Sequence, residues 1–287
     1  MDIGYYPGCS LDGTSKEYAQ STRALAKAFD INMIEIKDWN CCGATAAHNL
    51  NHELAVALPA RVLALAEKQG MTEIVVPCAA CYNRLSVTQH DLNKDKDLRA
   101  KVEEILEMPL SGNIRIMNVM QFIDKYIADK ITEDKIVNPF NRRVVCYYGC
   151  LLVRPQEVLK FDRLEDPQSM DILMQKIGAE SIDWGYKTEC CGAGFSVSRT
   201  DIVAKLSGNI VKDAIDRKAN AIIVACPMCH SNLDMRRSHI NSYLKMKTDI
   251  PVLYITQAIG LAMGVDKNEL GIKRLFIPFQ LSVSSQQ

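Results

Sequence analysis

Residues 73–82, EIVVPCAACY, and residues 221–230, AIIVACPMCH, decide the fold. Each is a short apolar run, rich in β-branched residues, that ends in Cys-x-x-Cys. Each therefore reads as a buried strand delivering two cysteines onto the first turn of a helix. Working back from each pair, one pattern precedes both: Cys9, then Cys41-Cys42-Gly43, before Cys78 and Cys81; Cys150, then Cys190-Cys191-Gly192, before Cys226 and Cys229. The gaps are 31 and 35 residues in the first copy and 39 and 34 in the second. Chance does not place C…CCG…CxxC twice at such spacing, so each half needs five sulfurs held at one point.

The remaining elements follow the same repeat. In the first half, Asp2–Tyr6 reads as a strand running into Cys9, and Asn32–Ile36 as a strand before the Cys41-Cys42 pair. Thr14-x-x-Glu17 is a capping-box signature that opens a helix through Phe29. Leu54–Gln69 reads as a helix disturbed at Pro59. In the second half the strands are Val144–Tyr148, Ser181–Trp184 and Ala221–Ala225, and Asp166-Pro167 reads as an N-cap followed by Pro at N1. The closing strand–helix units also match, Asn113–Met117 into Val119–Ile127 against Pro251–Ile255 into Gln257–Met263. Polar Ile131–Asn141 is the expected joint between domains 1–138 and 139–287, and Leu151–Ser169 has no counterpart in the first half. Alternating strands and helices predict an α/β fold of two pseudo-symmetric Rossmann-like halves with mainly parallel sheets. Ligands of such sheets sit beyond the carboxyl ends of the strands, where all the cysteine groups fall.

With 287 residues, 48% of them apolar, the chain is long enough for two domains with real cores. Lys+Arg and Asp+Glu balance at 34 each, which removes the broad electrostatic case for nucleic acid or an anionic membrane. The start MDIGYYPGCS has no basic n-region or apolar h-region, and no apolar run approaches the ~20 residues that span a bilayer. A cytoplasmic protein with 11 cysteines points to metal or redox chemistry rather than disulfides. Four thiolates suit zinc or a cubane cluster; the fifth is the anomaly. Adjacent cysteines diverge, and a multi-iron cluster offers them separate irons, so iron–sulfur stands ahead of zinc.

The tandem pattern resembles the cysteine-rich CCG domain, and its arrangement across the chain resembles the B-subunit family of heterodisulfide reductases from methanogenic archaea. That resemblance implies a noncubane [4Fe–4S] cluster in each half, ligated by Cys9, Cys41, Cys42, Cys78 and Cys81, and by Cys150, Cys190, Cys191, Cys226 and Cys229. It implies reduction of the CoM-S-S-CoB disulfide to two thiols by one-electron steps at the paired clusters. It further implies a soluble electron-bifurcating complex with a ferredoxin-like partner carrying cubane [4Fe–4S] clusters and a flavin-bearing partner, and hydrogenase or formate dehydrogenase modules further off. The chain itself has no ferredoxin cysteine run and no GxGxxG after a strand, so electrons must come from a partner.

Such a substrate is anionic, and cations near the cysteine turns are candidates to meet it: Arg84, His48, Lys187, Arg199 and His230. Each reads equally well as a solvated surface group. Gly43, Gly192 and Gly194 would let backbone approach a cluster. Cys146, in a strand, reads as a buried structural thiol. The tail Leu275–Gln287 would dock on a partner or fold over its own core. Competing readings are c-type haem at Cys226–His230, a thioredoxin-like dithiol, and a zinc-binding structural module. Within the family, electron-transfer subunits of lactate or glycolate oxidation, sulfur oxidation or thiol:fumarate reductase remain open.

Overall fold

The computed structural model describes residues 1–44 and 47–280, without the side chains of His48 and Asn49. The first half runs β1 (Asp2–Tyr5), α1 (Gly8–Asp12), α2 (Lys16–Ala28), β2 (Asn32–Glu35), α3 (Ala47–Leu50), α4 (His52–Lys68), β3 (Glu73–Val75), α5 (Ala79–Lys94), α6 (Lys96–Leu106), β4 (Arg115–Met117) and α7 (Val119–Tyr126). The second runs β5 (Arg143–Tyr147), α8 (Gln156–Leu159), α9 (Ser169–Lys176), β6 (Glu180–Ser181), α10 (Thr200–Asp216), β7 (Ala221–Val224), α11 (Pro227–His230), α12 (Arg237–Leu244), β8 (Val252–Tyr254) and α13 (Ile255–Ala262).

Each half forms a parallel four-stranded sheet, in the orders β2-β1-β3-β4 and β6-β5-β7-β8. These are one topology twice: substitute β5 for β1 and the orders coincide. Parallel strands buried on both faces need apolar runs, and Ile74-Val75 and Ile222-Ile223-Val224 supply them in the central strands. In each sheet the chain order reverses between β1 and β3, or β5 and β7. The segments that follow these strands carry Cys9 with Cys78 and Cys81, or Cys150 with Cys226 and Cys229.

One continuous apolar core runs through both halves. Helix α2 of the first packs on α13 of the second, where Ser21 Oγ lies 2.7 Å from Thr256 Oγ1. Between the two sheets, Val137 N and Asn138 N both donate to Ala262 O, at 2.9 and 3.0 Å. The described part of the tail lies on its own core, with Phe279 stacked on Phe140 and the N–H groups of Phe276 and Ile277 donating to the Asp234 carboxylate. Residues 281–287 of the tail lie outside the described residues.

Several local expectations are corrected. The capping box at Thr14 does not form: Gly8–Asp12 makes a helical turn of its own, α2 begins after Ser15, and Glu17 turns into the core. Asp166 does not cap a helix. The Asp162 carboxylate accepts from Gln168 N and Ser169 N instead, and Asp166 is drawn to Lys187. The strand expected at Ser181–Trp184 is the shorter Glu180–Ser181, because Trp184 turns its indole N–H onto Cys146 O at 2.9 Å. Helix α4 runs unbroken through Pro59, opened by Asn51, whose side chain accepts from Leu54 N.

Candidate metal centres

In the first half the sulfurs form a connected series. Cys41 Sγ lies 3.7 Å from Cys9 Sγ, and Cys42 Sγ lies 3.2 Å from Cys81 Sγ. Thiol contacts from Cys41 to Cys42 and from Cys81 to Cys78 complete it. In the second half Cys191 Sγ lies 3.7 Å from Cys229 Sγ, Cys229 contacts Cys226, and Cys150 contacts Cys190. Cys9, Cys41 and Cys190 are exposed, Cys150 is half-buried and the other six are buried. Each site is therefore a buried floor of thiols with an open mouth.

Backbone conformation makes room for the sulfurs. Gly8 (φ +66°) and Gly149 (φ +71°), each preceding the first cysteine of its half, adopt left-handed conformations. A Cβ on either would stand 2.9 Å from the Sγ of Cys81 or Cys229. Gly43 and Gly192 donate their N–H groups toward the Sγ of Cys41 and Cys190, at 3.5 and 3.3 Å. These donors suit a thiolate, and Cys41 and Cys190 are both held low. Contacts from the Cys42 and Cys9 thiols bring Cys41 down to about 2, and the Cys150 thiol brings Cys190 down to about 6. Their deeper neighbours Cys81 and Cys229 are pushed up, first by adjoining thiols and then by burial.

A tyrosine that the sequence does not single out completes each site. Tyr6 donates its hydroxyl to Asn40 O at 2.7 Å, and Tyr147 donates to Glu189 O at 2.6 Å. Those carbonyls immediately precede the two cysteine pairs, so each tyrosine pins the loop that delivers its pair. Each ring also meets a tryptophan edge-on, Trp39 or Trp184. A signal does exist: both tyrosines stand three residues before the first cysteine of their half.

The two sites adjoin. The Ala79 N–H of the first site helps hold the Cys226 thiol of the second below its usual range, after the Cys229 contact that dominates. Ser10 Oγ lies 3.8 Å from Met228 Sδ. Soft sulfur donors of this number fit a group of several soft metals. The closest sulfur contacts run pairwise, and among the described residues no set of three or more His, Cys, Asp or Glu side chains is arranged around a single ion.

The candidate cations separate. Lys187 is 2% exposed and committed, with Nζ 2.7 Å from Asp166 Oδ1, 3.3 Å from Asp183 Oδ1 and 3.7 Å from Asp171 Oδ2. Arg199 is an exposed ion pair with Asp201 at 2.7 Å. His230 is buried beside Cys229, and desolvation lowers it to about 3, so it is neutral. Its Nε2 lies 3.1 Å from Val252 O and its Nδ1 has no hydrogen-bond partner. Arg84, half-buried on α5, has no hydrogen-bond or ion-pair partner among the described residues. The His48 side chain lies outside the described residues. A Cβ on Gly194 would meet nothing within 4 Å, so no close approach there requires a glycine. Cys146 is fully buried in β5, 3.7 Å from Ser181 Oγ.

The sequence pattern of the cysteine-rich domain termed CCG matches residues 3–86 and 144–234. The chain is 27% identical over 278 residues to the B-subunit of the ferredoxin/F420H2-dependent CoB-CoM heterodisulfide reductase of Methanosarcina acetivorans, covering 95% of this chain and 92% of the relative. It is 28% identical to a protein of Archaeoglobus profundus described as like the heterodisulfide reductase B-subunit, over 94% and 93% of the two chains. It is also 26% identical to the 8-methylmenaquinol:fumarate reductase membrane anchor subunit of Wolinella succinogenes, over 94% and 95%. A crystal structure of a hypothetical protein from Helicobacter pylori superposes with a TM-score of 0.80 at 14% identity, over 97% of this chain. The chain spans about half of that structure, 52% of its length. No helix among the described residues is long and apolar enough to cross a membrane.

Proposed function

The chain belongs to the cysteine-rich CCG domain family, and on that premise we propose that it is the disulfide-reducing subunit of a soluble heterodisulfide reductase. The substrate is the CoM-S-S-CoB disulfide, and two electrons and two protons convert it to two free thiols. Domains 1–138 and 139–287 would each hold one noncubane [4Fe–4S] cluster through the five cysteines of their own half. The bound clusters would supply one electron each and an iron for each sulfur. The adjoining cysteine sets would hold them near one another, and Arg84 is the cation best left free to meet an anionic end of the substrate. Electrons arrive from a ferredoxin-like partner with cubane clusters. A flavin-bearing partner, and hydrogenase or formate dehydrogenase modules beyond it, complete a cytoplasmic bifurcating assembly.

The observation that carries this reading is the adjacency of two complete five-sulfur sets, because cleaving one S–S bond by two single-electron steps needs an acceptor for each sulfur. A second reading has its own support. Likeness over nearly the whole chain to a component of a menaquinol:fumarate reductase favours an electron-transfer subunit of another oxidoreductase. Iron, acid-labile sulfide and zinc per chain, with EPR after oxidation with and without CoM-SH, separate these readings. We expect about eight irons, little zinc and a thiol-dependent paramagnetic signal. Iron without thiol dependence favours the electron-transfer role, and zinc without iron removes both.

A further inference from the structure

Tyr18, on α2, is fully buried. Its hydroxyl lies 3.4 Å from Pro77 O and 3.2 Å from Ala225 O. Pro77 precedes Cys78 and Ala225 precedes Cys226, so these carbonyls occupy equivalent positions in the two halves. The hydroxyl therefore bridges equivalent strand ends of the two halves at nearly equal distances. A phenol has one proton to donate, shared here between the ends of the two central strands. The ring cannot turn away from them. It stacks on Tyr254 at 3.9 Å, and Tyr254 stacks on His230 at 4.2 Å, next to Cys229.

We propose that Tyr18 is a positioning residue that fixes the separation of the two cysteine sites. The inference rests on the paired-cluster reading above and deepens it. A disulfide is only about 2 Å long, so both centres must reach it at once. A misplacement near 1 Å costs about 100-fold in rate. A link between the strand ends that carry Cys78 and Cys226 controls that distance directly. The Ser21–Thr256 contact joins the same two halves, but on neither of these strand ends.

The test compares Tyr18→Phe with Ser21→Ala, in the full chain purified anaerobically with its partners. Iron per chain is measured together with the magnetic coupling between the two centres by pulsed EPR. In Tyr18→Phe the iron content and each centre's thiol-dependent signal should persist. The coupling should shift or broaden, and disulfide reduction should fall by about 100-fold. Ser21→Ala, which removes a comparable hydrogen bond between the halves, should leave the coupling unchanged. Placing p-aminophenylalanine at position 18 restores an N–H donor and should return the coupling to its original value. It also serves as the deciding variant if Tyr18→Phe does not fold. Unaltered coupling in Tyr18→Phe, an equal change in Ser21→Ala, or failure of the amino analogue to restore the coupling would each overturn the proposal. Fewer than two centres in the unsubstituted protein would overturn the paired-cluster reading instead.

Discussion

In the first half, the segment entering the cysteine pair is braced from the surface. Arg61 on α4 donates to Asp38 O at 2.7 Å and Asn40 Oδ1 at 3.0 Å, and forms an ion pair with the exposed Asp38 carboxylate. In the second half the brace lies beneath. Lys187 is buried among Asp166, Asp171 and Asp183, and its carbonyl accepts from Tyr148 N and Gly149 N at 2.9 and 3.0 Å. Asp38 and Lys187 both stand three residues before their cysteine pair. The first cysteine also differs, Cys9 exposed against Cys150 half-buried. Sulfur placement has stayed equivalent while the support beneath it has diverged, so the two centres share a geometry and differ in surroundings.

The sharpest break in equivalence should come from Lys187→Met. Removing one partner of a buried ion pair typically costs about 3–5 kcal/mol, because a charge is left uncompensated. The low end, about 3 kcal/mol, applies here because Asp166 and Asp183 reach solvent and only Asp171 is left buried. Asp171 keeps hydrogen bonds from Tyr148 and Ser181, which limits the loss further. Asp38→Asn at the matching position removes a surface pair and should cost less than about 1 kcal/mol. Urea unfolding of both variants decides the point. Equal losses would mean that burial of the second brace does not matter.

Next in size are Gly8→Ala and Gly149→Ala, which test what the halves share. A non-glycine residue in the left-handed region costs roughly 1–3 kcal/mol, and here the new Cβ also meets a cysteine sulfur, of Cys81 or Cys229, at 2.9 Å. Each substitution should lower iron by about half, from about eight toward about four per chain. Metal analysis checks this. If Gly149→Ala emptied both sites while Gly8→Ala emptied one, the second site would be a prerequisite for loading the first.

The paired sheets were legible in the sequence because strand period, β-branched runs and cysteine spacing are all local signals, read twice. The cysteine groups could be placed at the strand ends for the same reason. The support was not legible. Lys187 beside a cysteine pair reads like a cation awaiting an anion, and its three carboxylates come from an insertion, a helix and a loop that meet only in the fold. His230 after Cys229 looks available for binding, but it is stacked against Tyr254 and neutral in the core. The Thr14 capping box failed because an unanticipated helical turn at Gly8–Asp12 moved the helix start. Tyr18 carries no local mark, since its meaning depends on strand ends 59 and 207 residues away.

The smallest effects should come from Tyr6→Phe and Tyr147→Phe, and they test the equivalence most finely. Both keep the ring against its tryptophan and remove one hydroxyl from a carbonyl that precedes a cysteine pair. A lost neutral hydrogen bond costs about 1 kcal/mol, more when the abandoned acceptor is denied water. Both tyrosine rings are fully buried, but the two acceptors belong to differently supported segments. Asn40 side-chain bonds to Cys41 O and Leu58 O hold the first loop without Tyr6, at 2.9 and 3.0 Å. Among the described residues no side-chain hydrogen bond from Glu189 does the same, and the loop there leans on Tyr147 and the Lys187 backbone. Tyr147→Phe should therefore be the more costly, by a few tenths up to about 1 kcal/mol in thermal or urea unfolding, with iron content unchanged in both. A larger loss in Tyr6→Phe would show that the surface brace is the weaker of the two in supporting its pair, and would reverse the ranking of the halves.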